Sequence, residues 1–329
     1  MYNINSQSIF LNQMTFIFNN FPNPCLFSQR HFRISYSLLP AIRKLISNCS
    51  HTKELNVLSV ACGTALEVST LELLARSRGN KFNYFGCDID ESDLKFNRRL
   101  LRKTAPHVNQ TYLHSDMASA PPIPLISEAN CILWRHPEFL SDHSEVSKKL
   151  ILDMCQILWN ILKNKAQPTP ILITCYDPHE MMLVLELLHQ FCKDDLKYNL
   201  NIDKQNGRAS WQNPIIDPED LDPLFNINHQ DQCQLLITHC QPKNLEINEN
   251  LFISALAKAF QSILTKSEEQ PSTLLKNLEN PTLDVLREST IYMNNQIRES
   301  AKPFLKREEL CSQLMDYYAQ SEEVQLLNY

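Results

Sequence analysis

The chain has 329 residues, 43% of them hydrophobic, and a formal net charge of −6. That length suits one large α/β domain with an extension, or two modest domains, and the acidic balance leaves no whole-chain electrostatic case for binding nucleic acid. Only four glycines occur, which argues against a turn-rich all-β fold; eleven cysteines stand singly, without a Cys-x-x-Cys pair or zinc-finger spacing, which predicts reduced thiols, a cytoplasmic compartment and no metal site.

Residues 1–29 are uncharged, rich in Asn and Phe, and lack the basic start of a signal peptide. No run of about 18 apolar residues occurs, so no transmembrane helix and no membrane partner are expected. Residues 31–48 predict a helix that packs through Phe32, Leu38, Leu39, Ile42, Leu45 and Ile46. From there strand and helix patterns alternate. Strands are predicted at 55–60, 82–87, 111–114, 131–134, 171–175, 198–202 and 234–239, several of them continuous apolar runs of the kind found in strands covered on both faces. Between them Leu66, Thr70, Leu73 and Leu74 share a helical face. So do Leu150, Ile151, Met154, Ile157, Leu158 and Ile161, and later Met181, Leu185, Leu188 and Cys192. Thr64 with Glu67 fits a capping box, and Asp177-Pro178 followed by Glu180 fits a cap with Pro at the first helical position. The alternation predicts a doubly wound parallel sheet. A polar, Pro-containing loop from Asn206 to Gln232 carries no helical pattern, which allows the final strand to run antiparallel.

After Gln241 the pattern turns helical, over 250–265, 281–298 and 303–327, punctuated by Pro242, Pro271, Pro281 and Pro303. The expected organisation is therefore an N-terminal segment (1–29), an α/β domain (30–240) and a helical extension (241–329). Phe252, Leu256, Phe260, Ile263 and Leu264 line one face of the extension; Cys311, Leu314, Met315 and Tyr318 line another. Disordered segments are poor in such residues, so the extension is expected to dock on the α/β domain or a second subunit.

The stretch Leu55 to Asp90 reads LNVLSVACGTALEVSTLELLARSRGNKFNYFGCDID. A strand runs into Ala61-Cys62-Gly63-Thr64-Ala65, a helix follows, and a second strand ends at Asp88. A residue without Cβ at such a turn lets backbone approach a ligand, and an acid at the end of the second strand can accept hydrogen bonds from both hydroxyls of a ribose. A dinucleotide site would require G-x-G-x-x-G at this turn, and the chain offers Gly63 alone. Lys95, Arg98, Arg99, Arg102 and Lys103 form a basic run read as a solvated helix face.

This stretch resembles motif I of the class I S-adenosylmethionine (SAM)-dependent methyltransferases, a Rossmann-like superfamily whose first motif is an acid followed by G-x-G-x-G. Gly63 matches the central glycine. FGCDIDESDL is similar to the second motif, and His114-Ser115-Asp116-Met117 to the third. The resemblance implies a seven-stranded sheet with SAM as cofactor. It implies cofactor contacts at Ala61, Gly63, Asp88 (ribose), Ile89 (adenine face), Asp116 (adenine amino group) and Met117. Departures are Ser59 for the acid, Ala61 and Ala65 for outer glycines, and Asn130 for a common Asp.

In the resembled fold the loop after the fourth strand borders the transferred methyl group, which implies a catalytic or substrate role for His136. Arg135-His136-Pro137-Glu138-Phe139 is not the [DNS]-P-P-[YFW] signature of many amino-group methyltransferases, which weakens a base- or glutamine-directed N-methylation without excluding it; the resemblance leaves the methyl acceptor unidentified, and His136 would suit a hydroxyl or small-molecule acceptor as base. The degenerate first motif keeps a second reading open: a non-catalytic methyltransferase-like scaffold that binds a partner through its helical extension.

Overall fold

The computed structural model describes residues 38–49, 54–140, 148–175, 177–202, 233–266 and 271–301. The N-terminal segment 1–29, the loop 206–232 and the helix expected at 303–327, with its Cys311 face, lie outside the described residues.

A helix over 38–47 (α1) precedes β1 (Glu54–Val60), α2 (Glu67–Arg78), β2 (Lys81–Asp88), α3 (Glu91–Thr104) and β3 (Val108–His114). Then follow α4 (Ile123–Glu128), β4 (Cys131–Arg135), α5 (Lys148–Asn164), β5 (Ile171–Cys175), α6 (Pro178–Phe191), β6 (Lys197–Ile202) and β7 (Cys233–His239). Three helices close the described chain: α7 (Glu249–Leu264), α8 (Ser272–Asn277) and α9 (Leu283–Ala301).

The strands form one seven-stranded sheet in the order β3-β2-β1-β4-β5-β7-β6. β3, β2, β1, β4 and β5 pair in parallel, whereas β7 is antiparallel to both β5 and β6. Among the described residues β6 pairs only with β7. The apolar runs become central strands because both their faces are covered: all five residues of β5 are buried, and so are Val57, Leu58 and Val60 of β1. One core, with Ile42, Leu71, Leu74, Phe82 and Leu94, lies under α1, α2 and α3. The other, with Trp134, Leu158, Leu185 and Phe191, lies under α4, α5 and α6. This is the seven-stranded doubly wound plan of class I methyltransferases, with its reversed last strand.

The C-terminal helices continue the second core. Phe252, Leu256, Phe260, Ile263 and Leu264 of α7 are buried against α6, α5 and α9. Phe252 meets Phe191 edge-on at 5.9 Å, and Ser262 Oγ donates to Glu186 Oε1 at 2.7 Å. Truncating a phenylalanine buried in this way costs about 3–5 kcal/mol. Leu286 and Met293 of α9 are buried in the same core.

One local expectation changes, and two short helices are new. Thr64 does not cap α2; the helix starts after Leu66 without a side-chain cap, and Glu67 turns inward instead. The short helices α4 and α8 carry too few turns to show a periodicity. At α6 the expectation holds: Asp177 caps the helix by accepting from the His179 N–H, with Pro178 at the first helical position.

Candidate functional site

The turn from β1 to α2 is built from alternate left-handed residues: Ala61 (φ 48°), Gly63 (φ 47°) and Ala65 (φ 47°). The Ala65 N–H closes it on Cys62 O (2.8 Å), and three bonds tie it to neighbouring elements. The Cys62 N–H donates to Cys87 O (3.0 Å), the Gly63 N–H to Asp88 Oδ2 (2.7 Å), and Asn97 Nδ2 to Gly63 O (2.6 Å). A Cβ at Gly63 would meet only Asp93 Oδ2, at 3.8 Å, so the backbone angle favours glycine there and crowding by protein atoms does not require it. The alanines hold the same angle with a Cβ in place, at roughly 1–2 kcal/mol each. Ala65 is buried and Ala61 is exposed at the strand end.

Close approach is required instead at Gly86, inside β2. A Cβ there would lie 2.9 Å from Cys62 Sγ, 2.9 Å from the Tyr84 ring and 3.0 Å from the Tyr112 ring. Gly86 was not among the residues singled out in the sequence; a glycine inside a strand pattern is the signal that marks it. Burial pushes the Cys62 thiol well up and the Cys87 thiol up to about 12, so neither presents a thiolate.

Asp88, at the end of β2, is nearly buried. Besides the Gly63 bond, its Oδ1 accepts the Asp90 N–H at 2.8 Å. Each carboxylate oxygen thus keeps acceptor capacity for a ligand hydroxyl. Ile89, next along, leaves 68% of its surface exposed. Its carbonyl lies 2.9 Å from His114 Nε2, which ties the ends of β2 and β3 together.

Beyond β3, Asp116 accepts from the N–H groups of Ala118 (2.9 Å) and Ser119 (3.2 Å) and from the Ser119 hydroxyl (2.6 Å). The Ser119 hydroxyl bond is the main cause holding the Asp116 carboxyl below its ordinary range. The Met117 side chain is buried in the core, and its backbone N–H has no partner among the described residues. Asn160 of α5 fixes this loop by donating to the carbonyls of Met117 (2.9 Å) and Ala118 (3.0 Å). That anchor, 43 residues away in sequence, leaves no local signal.

Glu67, the first residue of α2, is fully buried. Its Oε1 accepts from Ser59 Oγ and from the Tyr84 hydroxyl, both at 2.6 Å, and its Oε2 lies 3.4 Å from Arg135 Nη1. Burial is the main cause pushing the Tyr84 phenol well up, so it serves as a donor. The β1–β4 pairing ends at Val60 and Trp134, and Arg135 is the next residue of β4.

The loop after β4 is also left-handed, at His136 (φ 52°) and Glu138 (φ 55°). The His136 N–H donates to Thr174 O at 2.8 Å. Its Nε2 lies 3.3 Å from Arg135 Nη2, and a guanidinium can only donate, so Nε2 is the acceptor; Nδ1 is buried. Facing this loop, Glu180 of α6 accepts the Leu140 N–H at 3.5 Å. Burial pushes the Glu180 carboxyl up to about 7, with Asp177 and Glu138 adding to the rise.

The strand ends thus bring together Ala61, Gly63, Asp88 and Ile89, with Asp116 and Met117 on the neighbouring loop after β3 and His136 on the loop after β4. Among the described residues no cluster of His, Cys, Asp and Glu could hold a metal ion, and no helix is long and apolar enough to cross a membrane.

No family model and no curated protein matches the sequence. Solved structures do. A protein from Listeria monocytogenes assigned to the class I SAM-dependent methyltransferases is 12% identical, with a TM-score of 0.42 over 65% of this chain and 62% of that one. A SAM-dependent methyltransferase from Clostridium acetobutylicum is 14% identical, with a TM-score of 0.32 over 50% of this chain and 58% of that one. Phosphoethanolamine N-methyltransferase 1 of Haemonchus contortus, solved with phosphoethanolamine and S-adenosylhomocysteine, is 12% identical, with a TM-score of 0.43 over 80% and 57%. The chain therefore spans about three fifths of the length of these proteins. The fold assignment rests on strand order and direction rather than on these likenesses.

Proposed function

From a class I methyltransferase fold, with an acid at the end of β2 bonded to the one glycine of the cofactor turn, we propose that the region over the C-terminal ends of β1 and β2 binds SAM and that the chain transfers its methyl group to a small-molecule acceptor. The single observation that carries this reading is Asp88: its carboxylate is nearly buried, tied to the Gly63 and Asp90 N–H groups, and still able to accept. Ligands of open α/β sheets sit at such strand ends. In this reading Asp88 takes the two ribose hydroxyls and exposed Ile89 covers one face of the adenine. The Asp116 carboxylate and the unengaged Met117 N–H read the adenine edge. Backbone at Ala61 and Gly63 meets the amino-acid end.

The cofactor supplies a methyl group already activated on a sulfonium, so the protein's part is to align donor and acceptor and keep water out. A base is required only where the acceptor's nucleophile carries a proton of high pKa. His136 takes that role only if its ring turns away from Arg135, which now occupies Nε2.

Isothermal titration with S-adenosylhomocysteine tests the reading. Micromolar binding is expected, and Asp88→Ala, verified as folded, is expected to weaken it at least tenfold, since one hydrogen bond to a charged group is worth about 1.5–3 kcal/mol. Unchanged affinity in that variant overturns the site. No binding at millimolar ligand leaves the non-catalytic scaffold as the reading.

A further inference from the structure

Position 59 is where the resembled motif carries an acid, and this chain has a buried serine there. The nearest carboxylate comes from elsewhere. Glu67 Oε1 sits 2.6 Å from Ser59 Oγ, within one hydrogen bond of where an acidic side chain at 59 would place its own oxygens. Glu67 is not an ordinary first-turn acid, because it is fully buried and α2 has no side-chain cap. It joins four elements beneath the turn: β1 through Ser59, β2 through Tyr84, β4 through Arg135, and α2, which carries it. The partners match it in charge and type. Two hydroxyls donate to one oxygen and a guanidinium, itself 11% exposed, faces the other.

We infer that Glu67 carries, from the first turn of α2, the negative charge that the motif places on β1, and that it acts as a positioning residue for the 61–65 turn. The positioning part rests on the cofactor reading above; the relocation of charge does not. Two left-handed alanines make this turn strained, so it depends on what lies under it. Arg135, which faces Glu67, directly follows Trp134, the partner of the last β1 residue before the turn, so the buried charge lies between β4 and the strand that feeds the turn.

The test moves the charge back. Glu67→Gln is expected to lower the melting temperature on the order of 10 °C, because the buried negative charge that meets two hydroxyls and a guanidinium is lost while the volume is kept. Ser59→Asp alone is expected to lower it too, by setting two carboxylates against each other. In the Glu67→Gln background, Ser59→Asp is expected to raise the melting temperature. It is also expected to recover an S-adenosylhomocysteine affinity that Glu67→Gln had weakened about tenfold. If Glu67→Gln does not fold, folding of the double variant supports the relocation and failure of both overturns it. A destabilising Ser59→Asp in both backgrounds overturns the relocation. A reversal of sign with ligand affinity unmoved throughout overturns the positioning role alone. Absence of binding to the unaltered protein removes the cofactor reading and the positioning role together, with the relocation still decided by melting temperature.

Discussion

The two junctions β1–α2 and β5–α6 both bury a glutamate in the first turn of the helix, Glu67 at one and Glu180 at the other. Their surroundings are opposite. Glu67 meets two hydroxyls and a guanidinium. Glu180 meets backbone N–H groups of the 136–140 loop and the acids Asp177 and Glu138. The first arrangement supports a charge in the interior. The second supports a proton there, and its carboxyl titrates near 7. Residue type and helix position therefore do not decide the electrostatics of a strand-to-helix turn; what the neighbouring strands contribute does.

The largest effect expected from this contrast is at Glu67. Glu67→Ala removes the buried carboxylate that faces Arg135 and accepts from Ser59 and Tyr84, which is expected to cost about 3–5 kcal/mol in urea unfolding. A loss below about 1 kcal/mol means the pair is incidental.

Glu180 gives a pH-dependent effect of somewhat smaller size. Its carboxyl is raised from 4.5 to about 7 on folding, so between those values the native state holds more protons than the unfolded state. Its contribution is present below about pH 4.5 and is lost as pH rises through about 7. Glu180→Gln keeps a neutral acceptor. It is expected to match the parent at pH 4.5 and to exceed it at pH 8 by on the order of 3 kcal/mol. Parallel stability–pH curves for the two proteins would contradict the contrast.

The smallest effect concerns the turn itself. Alanine to glycine ordinarily costs about 0.5–1 kcal/mol through the unfolded chain. At Ala61 (φ 48°) that loss is offset by relief of the left-handed strain, so Ala61→Gly is expected to be neutral to about 1 kcal/mol stabilising. A loss of 1 kcal/mol in thermal or urea unfolding would show that the alanine turn is unstrained.

The strands were legible because central strands covered on both faces appear as apolar runs; β5 was bounded to the residue, and Gly63 and Asp88 sit at strand ends as the motif implied. The turn's conformation was not, because alanine at 61 or 65 gives no sign of a positive φ. Glu67 was misleading, since three residues after a threonine is also the spacing of a capping box. The spacing is the same whether the glutamate faces the helix end or the core. Asn160 and Gly86 act through contacts between distant elements, which a single sequence does not display. The Glu180 proton is likewise set by residues of another loop.

The position of β7 has a consequence for biosynthesis. Among the described residues it is the last strand made, yet it lies between β5 and β6, and β6 has no other neighbour among them in the sheet. Until residue 239 has left the ribosome, β6 has no strand to join and β5 offers an open edge. The sheet therefore closes in a single late step, and α7 follows only ten residues behind it to cover α6. A chain released before that point would leave β6 unpaired and one edge of β5 open at once, which makes premature termination there an aggregation hazard.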